Sequence, residues 1–370
     1  MIHGERVRQV RKLRRLTQKQ LGEQVSVGQN AISQIEAGLV QPSEDVLRGI
    51  SQASDFPESF FLREPGPVFP LGSLVFRARR SATKLDLEEA HVWAELVYEC
   101  ALGLALRLGV QPASLPNLSG EPPRRAAQIA RSTLGLSPDR PIPNVIHALE
   151  QRGVFVLALP IHLPGRDAFS AWAGTNPRFP VIVLSSGALG GRQRFTVSHE
   201  FDHILTPDYR GYSRIAEEGA DSFASEFLMP DSGIRDELSS PLTIAKLAPI
   251  TRRWGVSLQA LVMRASQLGI ISQRRAQQLY VELSTAGLAR DEHPSTSIRV
   301  EKPRAFRRMA EEMYGDPVDS RRLAADFNLP VPLAAAMIGA HATRSELVAT
   351  VPGGKRDNVV RFRGKGPSLV

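Results

Sequence analysis

The sequence predicts an α+β protein, mostly α, with one small β-sheet set between two helical blocks. Apolar residues recur at helical spacing through the first fifty residues. Two β-rich runs bounded by Gly and Pro, GVFVLALP and FPVIVLSS, then interrupt that period, with DAFSAWAG between them as a third strand. Helical periodicity resumes at residue 192 and dominates to about residue 340. The expected order is an all-α N-terminal unit, a central unit built on the sheet, and a helical C-terminal region.

Through the basic run from Arg6 to Lys19, Val7, Val10, Leu13 and Leu16 recur at helical spacing and form an apolar face beneath a basic one. This stretch contains seven basic residues and no acidic one. Thr17 is a natural N-cap for a second helix, TQKQLGEQV, and Gln20 completes a capping box. After the turn SVG, QNAISQIEAG reads as a third helix closed by Gly38. PSEDVLRGISQAS reads as a fourth, with Val46, Leu47 and Ile50 facing inward. Two short helices around a three-residue turn make a helix-turn-helix unit, whose second helix enters the major groove.

TQKQLGEQVSVGQNAISQIEAGLVQPSEDVL resembles the XRE (Cro/C1-type) repressor family along its full length. The resemblance implies a lambda-repressor-like domain over residues 1–66 that binds double-stranded DNA. By position, Gln18 opens the first helix of the pair, and Gln29, Asn30 and Ser33 are the outward residues of the recognition helix. Val25, Val27, Ile32 and Ile35 are its packing residues. Gln and Asn suit adenine edges, while Arg14, Arg15 and Lys19 of the basic run suit phosphates. The family's usual serine after the turn valine is Gly28 here, so a weaker cap is expected. Helix-turn-helix units of this kind usually read palindromes as dimers, so a homodimer is one possible form, and the sequence leaves the oligomeric state open.

REPGPVFPLGS marks a domain boundary through its Pro and Gly. A long helix follows from about Asp86 to Leu108, with an apolar stripe of Val92, Leu96 and Leu104. QPASLPNLSGEPP is a second break, followed by helices in RRAAQIARSTLG and IPNVIHALEQRG. His91, Trp93, Cys100 and His147 read as packing residues. The sheet comes next, directly before the segment with the strongest chemical signal.

That segment is SHEFDHIL, residues 198 to 205. Arg192 to Leu205 reads as a helix, on which His199 and His203 stand at i and i+4 and share one face. Two imidazoles so placed reach a single ion at about 2.0–2.1 Å each. Glu200 lies beside the first histidine, positioned to accept a proton from a metal-bound water. A zinc hydrolase site needs a third protein ligand. In IAEEGADSFASEFLMP, Glu217 and Asp221 are four apart, on the side of the small residues Ala220 and Ala224. Glu217 is the expected third ligand, and Asp221 the acceptor that fixes a histidine tautomer. Glu218 points about 100 degrees away on the helix.

RFTVSHEFDHIL together with EEGADSFASEFLMP resembles the ImmA/IrrE family of metallopeptidases, over residues 76 to 300 or so. The resemblance implies a zincin-like fold, with His199, His203 and Glu217 as metal ligands and Glu200 as general base. It also implies a substrate class, since related proteins cleave an XRE-type repressor. Many such chains carry a glycine before the second histidine, where this one has Asp202. Tyr209, Tyr212 and Arg214 lie in the loop between the two motif helices as candidate donors to a developing oxyanion.

The remainder sets the context. Within the C-terminal third, WGVSLQALVMRASQLGII also recurs in relatives that carry an XRE domain. PVDSRRLAADFNLPVPLAAAMIG is helical, and the last 28 residues hold six basic and two acidic side chains, which reads as a disordered basic tail. One cysteine excludes an internal disulfide, no apolar run is long enough to span a bilayer, and no apolar stretch follows the basic N-terminus as a signal peptide requires. A cytoplasmic protein without a membrane partner is therefore expected, and a net charge of +8 suits a polyanionic one.

The expected organisation is residues 1–66 for DNA, 67–300 for a zinc metallopeptidase with its core near 124–240, and a helical 301–370 with a basic tail. The cofactor is Zn2+, with Mn2+ or Fe2+ also compatible with two histidines and a carboxylate. The function expected is transcriptional regulation by site-specific cleavage of an XRE-type repressor in a stress, DNA-damage or mobile-element response. The alternative is a DNA-binding regulator or antitoxin whose metallopeptidase-like domain is sensory or inactive.

Overall fold

A computed structural model describes residues 1–66, 69, 82–165, 167–174, 179–207, 214–239, 241–288 and 298–346. Five helices form the N-terminal unit: α1 (Gly4–Leu13), α2 (Gln18–Gln24), α3 (Gln29–Glu36), α4 (Glu44–Ser54) and α5 (Glu58–Leu62). Then come α6 (Lys84–Arg107), α7 (Pro123–Thr133) and α8 (Val145–Glu150). The strands are β1 (Phe155–Ala158), β2 (Ala168–Ala173) and β3 (Phe179–Leu184). After them the chain is helical: α9 (Gly190–Leu205), α10 (Arg214–Leu228), α11 (Asp231–Ile234), α12 (Ile244–Trp254), α13 (Leu258–Gln267) and α14 (Gln273–Thr285). The last three helices are α15 (Ala305–Tyr314), α16 (Ser320–Phe327) and α17 (Val331–Gly339). The fold is thus α+β and mostly α, with the helix-turn-helix first and a helical C-terminal region. The basic tail lies outside the described residues.

The sheet has the order β1-β3-β2, with β3 parallel to β1 and antiparallel to β2. Every residue of β3 is buried, as a central strand covered on both faces must be. The alternation of side chains sorts the strands between two cores. Phe155, Leu157, Phe169, Val181 and Val183 pack with α1, α6 and the C-terminal helices. Val156, Ala168, Ile182 and Leu184 pack with the motif helices α9 and α10. One core therefore runs from the N-terminal unit through α6 to the sheet and α15–α17, and the other lies beneath the site.

The two motif helices cross where Ala220 and Ala224, both fully buried, let them come close. Phe201, Phe223 and Phe227 fill the crossing, with the last two rings stacked at 5.6 Å. Buried arginines tie down the C-terminal end of α10. Arg131 donates to the Phe227 carbonyl, and Arg264 pairs with Glu226 while its Nε donates to the Met229 carbonyl at 2.9 Å. Burying a guanidinium without such partners would be costly.

The segment after residue 298 is bound to the start of α9. The Gln193 side chain donates to the Glu301 carbonyl at 2.9 Å and accepts from its N–H at 2.8 Å. The Glu301 carboxylate pairs with buried Arg194 and accepts the Ile146 N–H at the start of α8. Glu150, at the end of α8, accepts the N–H groups of Arg304 and Ala305, and so caps α15. The C-terminal helices are thereby fixed to the helix that carries HEFDH.

Gly190 makes this join possible. A Cβ there would lie 2.1 Å from the Ile298 carbonyl oxygen. Gly190→Ala is expected to destabilise the protein by about 1–3 kcal/mol, because a backbone carbonyl must move. Urea unfolding checks it, and an unchanged midpoint would mean that the segment is not seated there.

Candidate metal centre and nucleic-acid interface

The metal centre is assembled from one face of α9 and one face of α10. His199 Nε2 and His203 Nε2 lie 3.1 Å apart. Glu217 reaches both, with Oε2 3.6 Å from His199 Nε2 and Oε1 3.6 Å from His203 Nε2. Asp221 Oδ1 sits 2.7 Å from His199 Nδ1, so a proton on Nδ1 donates to the carboxylate and leaves the Nε2 lone pair facing His203 and Glu217. His199 is 2% exposed.

The donor set fits a zinc-type ion on distance as well as on type. The three ligand atoms lie within 4.8 Å of one another. Two donors at about 2.0–2.1 Å on a tetrahedral ion stand about 3.3–3.4 Å apart. The 3.1 Å between the two histidine nitrogens is close to that edge, and each nitrogen faces one of the two Glu217 oxygens at 3.6 Å. Among the described residues this is the one group of His, Cys, Asp and Glu placed to hold a metal ion.

Glu200 is 1% exposed and lies on the sheet side of the helix. Its Oε2 accepts the Ser170 hydroxyl at 2.6 Å. Ser170 is a buried residue of the edge strand β2, and two residues further on Trp172 Nε1 donates to the Ile204 carbonyl at 2.9 Å. These two bonds fix the strand to the motif helix. Sequence reasoning missed both residues. The one available signal was the small polar residue inside DAFSAWAG, at a position where alternation points inward.

Asp202 is buried, and that burial pushes its carboxyl up to about 7. Arg214 is directed to solvent, where Nε donates to Glu218 at 2.8 Å, so it is not brought to the metal centre. Tyr209 and Tyr212 lie outside the described residues.

In the N-terminal unit, Thr17 and Gln20 form the expected capping box, and Gly28 caps α3 without a side-chain bond. Gln29, Asn30 and Ser33 are exposed together on α3, while Ile32 and Ile35 are buried. Lys19 stands 73% exposed at the start of α2. Gln18 is half-buried, and its Nε2 donates to Glu36 Oε2 at 2.9 Å, alongside a two-pronged pair from Arg11.

The basic run of α1 has mostly internal partners. Arg14 donates twice to the Ser54 carbonyl, at 2.8 and 2.6 Å. Arg15 Nη1 lies 2.8 Å from both Asp86 and Glu89 on α6. Lys12 approaches Glu88, and Arg6 is buried against Glu99. Of the residues read as phosphate-binding, Arg15 thus meets the acidic face of α6 and Arg14 the end of α4. The exposed face of α3 and Lys19 remain open to a ligand.

Comparison with known families agrees with this geometry. Residues 7–60 match the helix-turn-helix family, and residues 149–266 match the IrrE N-terminal-like domain. The chain joins an XRE-type helix-turn-helix domain to an ImmA/IrrE-like peptidase-family domain. The motif helix and Glu217 all fall inside the ImmA/IrrE-like match. No curated protein matches the chain. Among solved structures, the crystal structure of Bacillus thuringiensis PlcR in complex with the peptide PapR7 and DNA is 12% identical over 91% of this chain and 85% of that chain. Its TM-score is 0.17, from which no shared fold follows. No helix among the described residues is long and apolar enough to cross a membrane.

Proposed function

We infer that this is a DNA-binding regulator whose ImmA/IrrE-like domain is a working metallo-endopeptidase. The observation that carries the reading is the triangle of His199, His203 and Glu217 with Glu200 buried beside it. The expected divisions are residues 1–66 for DNA, 67–300 for hydrolysis and 301–370 as a C-terminal region, whose Glu301 and Arg304 are bonded to Gln193 and Glu150.

His199, His203 and Glu217 would hold the ion, zinc by ligand type. When bound, such an ion supplies Lewis-acid activation of a water and of the scissile carbonyl. The chain's own residues do the rest. Asp221 holds His199 in the tautomer that presents Nε2. Ser170 anchors one carboxylate oxygen of Glu200, which limits its rotation and orients the group as a base. Glu200 takes the proton of the attacking water and returns it to the departing amine nitrogen. Trp172 keeps the strand against the helix.

The substrate class that suits the fusion is an XRE-type repressor, which a helix-turn-helix domain would meet at the same operators. On the DNA, Gln29, Asn30 and Ser33 are the base-reading residues, and Lys19 the main phosphate contact. Gln18, Arg14 and Arg15 act through the positions they hold in the domain. A homodimer would present two recognition helices to a palindrome.

The test is elemental analysis of the purified chain together with binding to an operator selected from random DNA. About one metal ion per chain is expected, lost in His203→Ala. Asn30→Ala is expected to weaken operator binding by about 1–3 kcal/mol and to relax the base preference. Arg15→Ala should leave binding nearly unchanged, because its charge is already matched by Asp86 and Glu89. A metal-free wild type that cannot be reconstituted would sink the peptidase half, and an indifferent Asn30→Ala the assigned DNA contact.

A further inference from the structure

A cavity of about 420 Å³ lies at the carboxyl ends of β1 and β3. It is bounded by the 185–188 loop, by Val300 and Pro303, and by Ala336 and Gly339 of α17. It shares no residue with the metal centre. It is a cleft partly open to solvent rather than an enclosed void. It falls within the range of small-molecule sites. Its walls come from separate parts of the chain.

The lining chemistry selects the occupant. The Gln193 amide is bonded both ways to the Glu301 backbone. The Glu301 carboxylate is matched by Arg194, and Lys302 Nζ by Glu346 at 2.9 Å. Ser185 Oγ accepts the Leu163 N–H at 3.0 Å. The charges at the wall are therefore internally balanced. What is left to face a ligand is mainly carbon: Leu159, Leu184, Val300, Pro303 and Ala336.

The walls also explain what an occupant could affect. Gln193 is on α9, six residues before His199. α17 pairs with α16, whose Phe327 carbonyl accepts from Arg63 at 3.0 Å, and Asn328 between them bonds to Ser59. One wall is thus the metal-centre helix, and the opposite wall belongs to the helical pair that touches the DNA-binding domain.

We propose that this cavity is the binding site of a small, uncharged, predominantly apolar effector. The site stands apart from the peptidase reading and survives its failure. The probe is Nile red, a neutral apolar dye, titrated into the full chain. Saturable binding of one dye per chain is expected, with a melting temperature that rises with dye concentration. Gly339→Leu, whose Cβ would meet nothing within 4 Å, should fold and weaken the dye by about tenfold or more. Ala336→Met should do the same from the adjacent turn. Crystals of the wild type under xenon give a second reading that needs no variant, with xenon density expected in the cavity. Dye binding that is equal in wild type and both variants, or a cavity without xenon, overturns the proposal.

Discussion

Glu200→Gln is expected to lower peptide-bond hydrolysis by about 10²–10⁴-fold, the share a positioned general base contributes. That corresponds to about 3–5 kcal/mol of transition-state stabilisation. The substitution is conservative in every other respect. The glutamine carbonyl oxygen can still accept the Ser170 hydroxyl, so the buried position keeps its partner. None of the three metal donors is touched, and the DNA-binding domain is remote. Metal content, melting temperature and operator affinity should therefore match the wild type. Activity is read by mapping new protein N-termini in cells that express either form. Cleavages present with the wild type and absent with Glu200→Gln identify both the activity and the substrate. Identical N-termini in the two would show that the domain binds a metal without hydrolysing peptides.

What could be read in the sequence was what depends on local geometry. His199 with His203, and Glu217 with Asp221, stand at i and i+4, and helical spacing alone puts each pair on one face. The capping box of Thr17 and Gln20 and the three strands are similarly short-range, as is the burial of Ile32 and Ile35. What escaped depends on pairing across long stretches of chain. Ser170 meets Glu200 thirty residues away only because β2 is the edge strand beside α9. The join of Gln193 and Arg194 to Glu301 spans more than a hundred residues. The basic run of α1 was legible as charge, but its destination was not. A row of arginines looks the same whether it waits for phosphate or has carboxylates seventy to ninety residues further along.

That destination sets the second large effect. Glu99→Ala is expected to cost about 3–5 kcal/mol, the usual penalty for leaving one member of a buried ion pair without its counter-charge. Arg6 is fully buried and meets both Glu99 oxygens, at 2.9 and 2.8 Å. Its remaining N–H groups go to Gln9 and to the carbonyls of Arg63 and Glu64, and its guanidinium lies 4.6 Å from the Phe60 ring centre. Arg63 adds a second cation 3.1 Å from Glu99. Removing the carboxylate leaves two cations facing each other on the seam between the N-terminal unit and α6. Val7, Val10, Ile32, Ile50 and Phe60 pack the N-terminal helices at one end of the core that continues into α6, so the loss should fall chiefly on docking at that seam. Calorimetry should then show one transition split into two, with faster hydrogen exchange in α1 and α6. The double variant Arg6→Met with Glu99→Met removes both charges and should recover most of the loss, since well-packed apolar replacements of buried pairs are often neutral. If Glu99→Ala melts as a single transition within about 1 kcal/mol of wild type, the cost of an exposed pair, the seam is wet and the two units are not locked together. A split that the double variant repairs would instead make the Arg6–Glu99 contact the joint through which metal centre and DNA-binding surface are held in fixed relation.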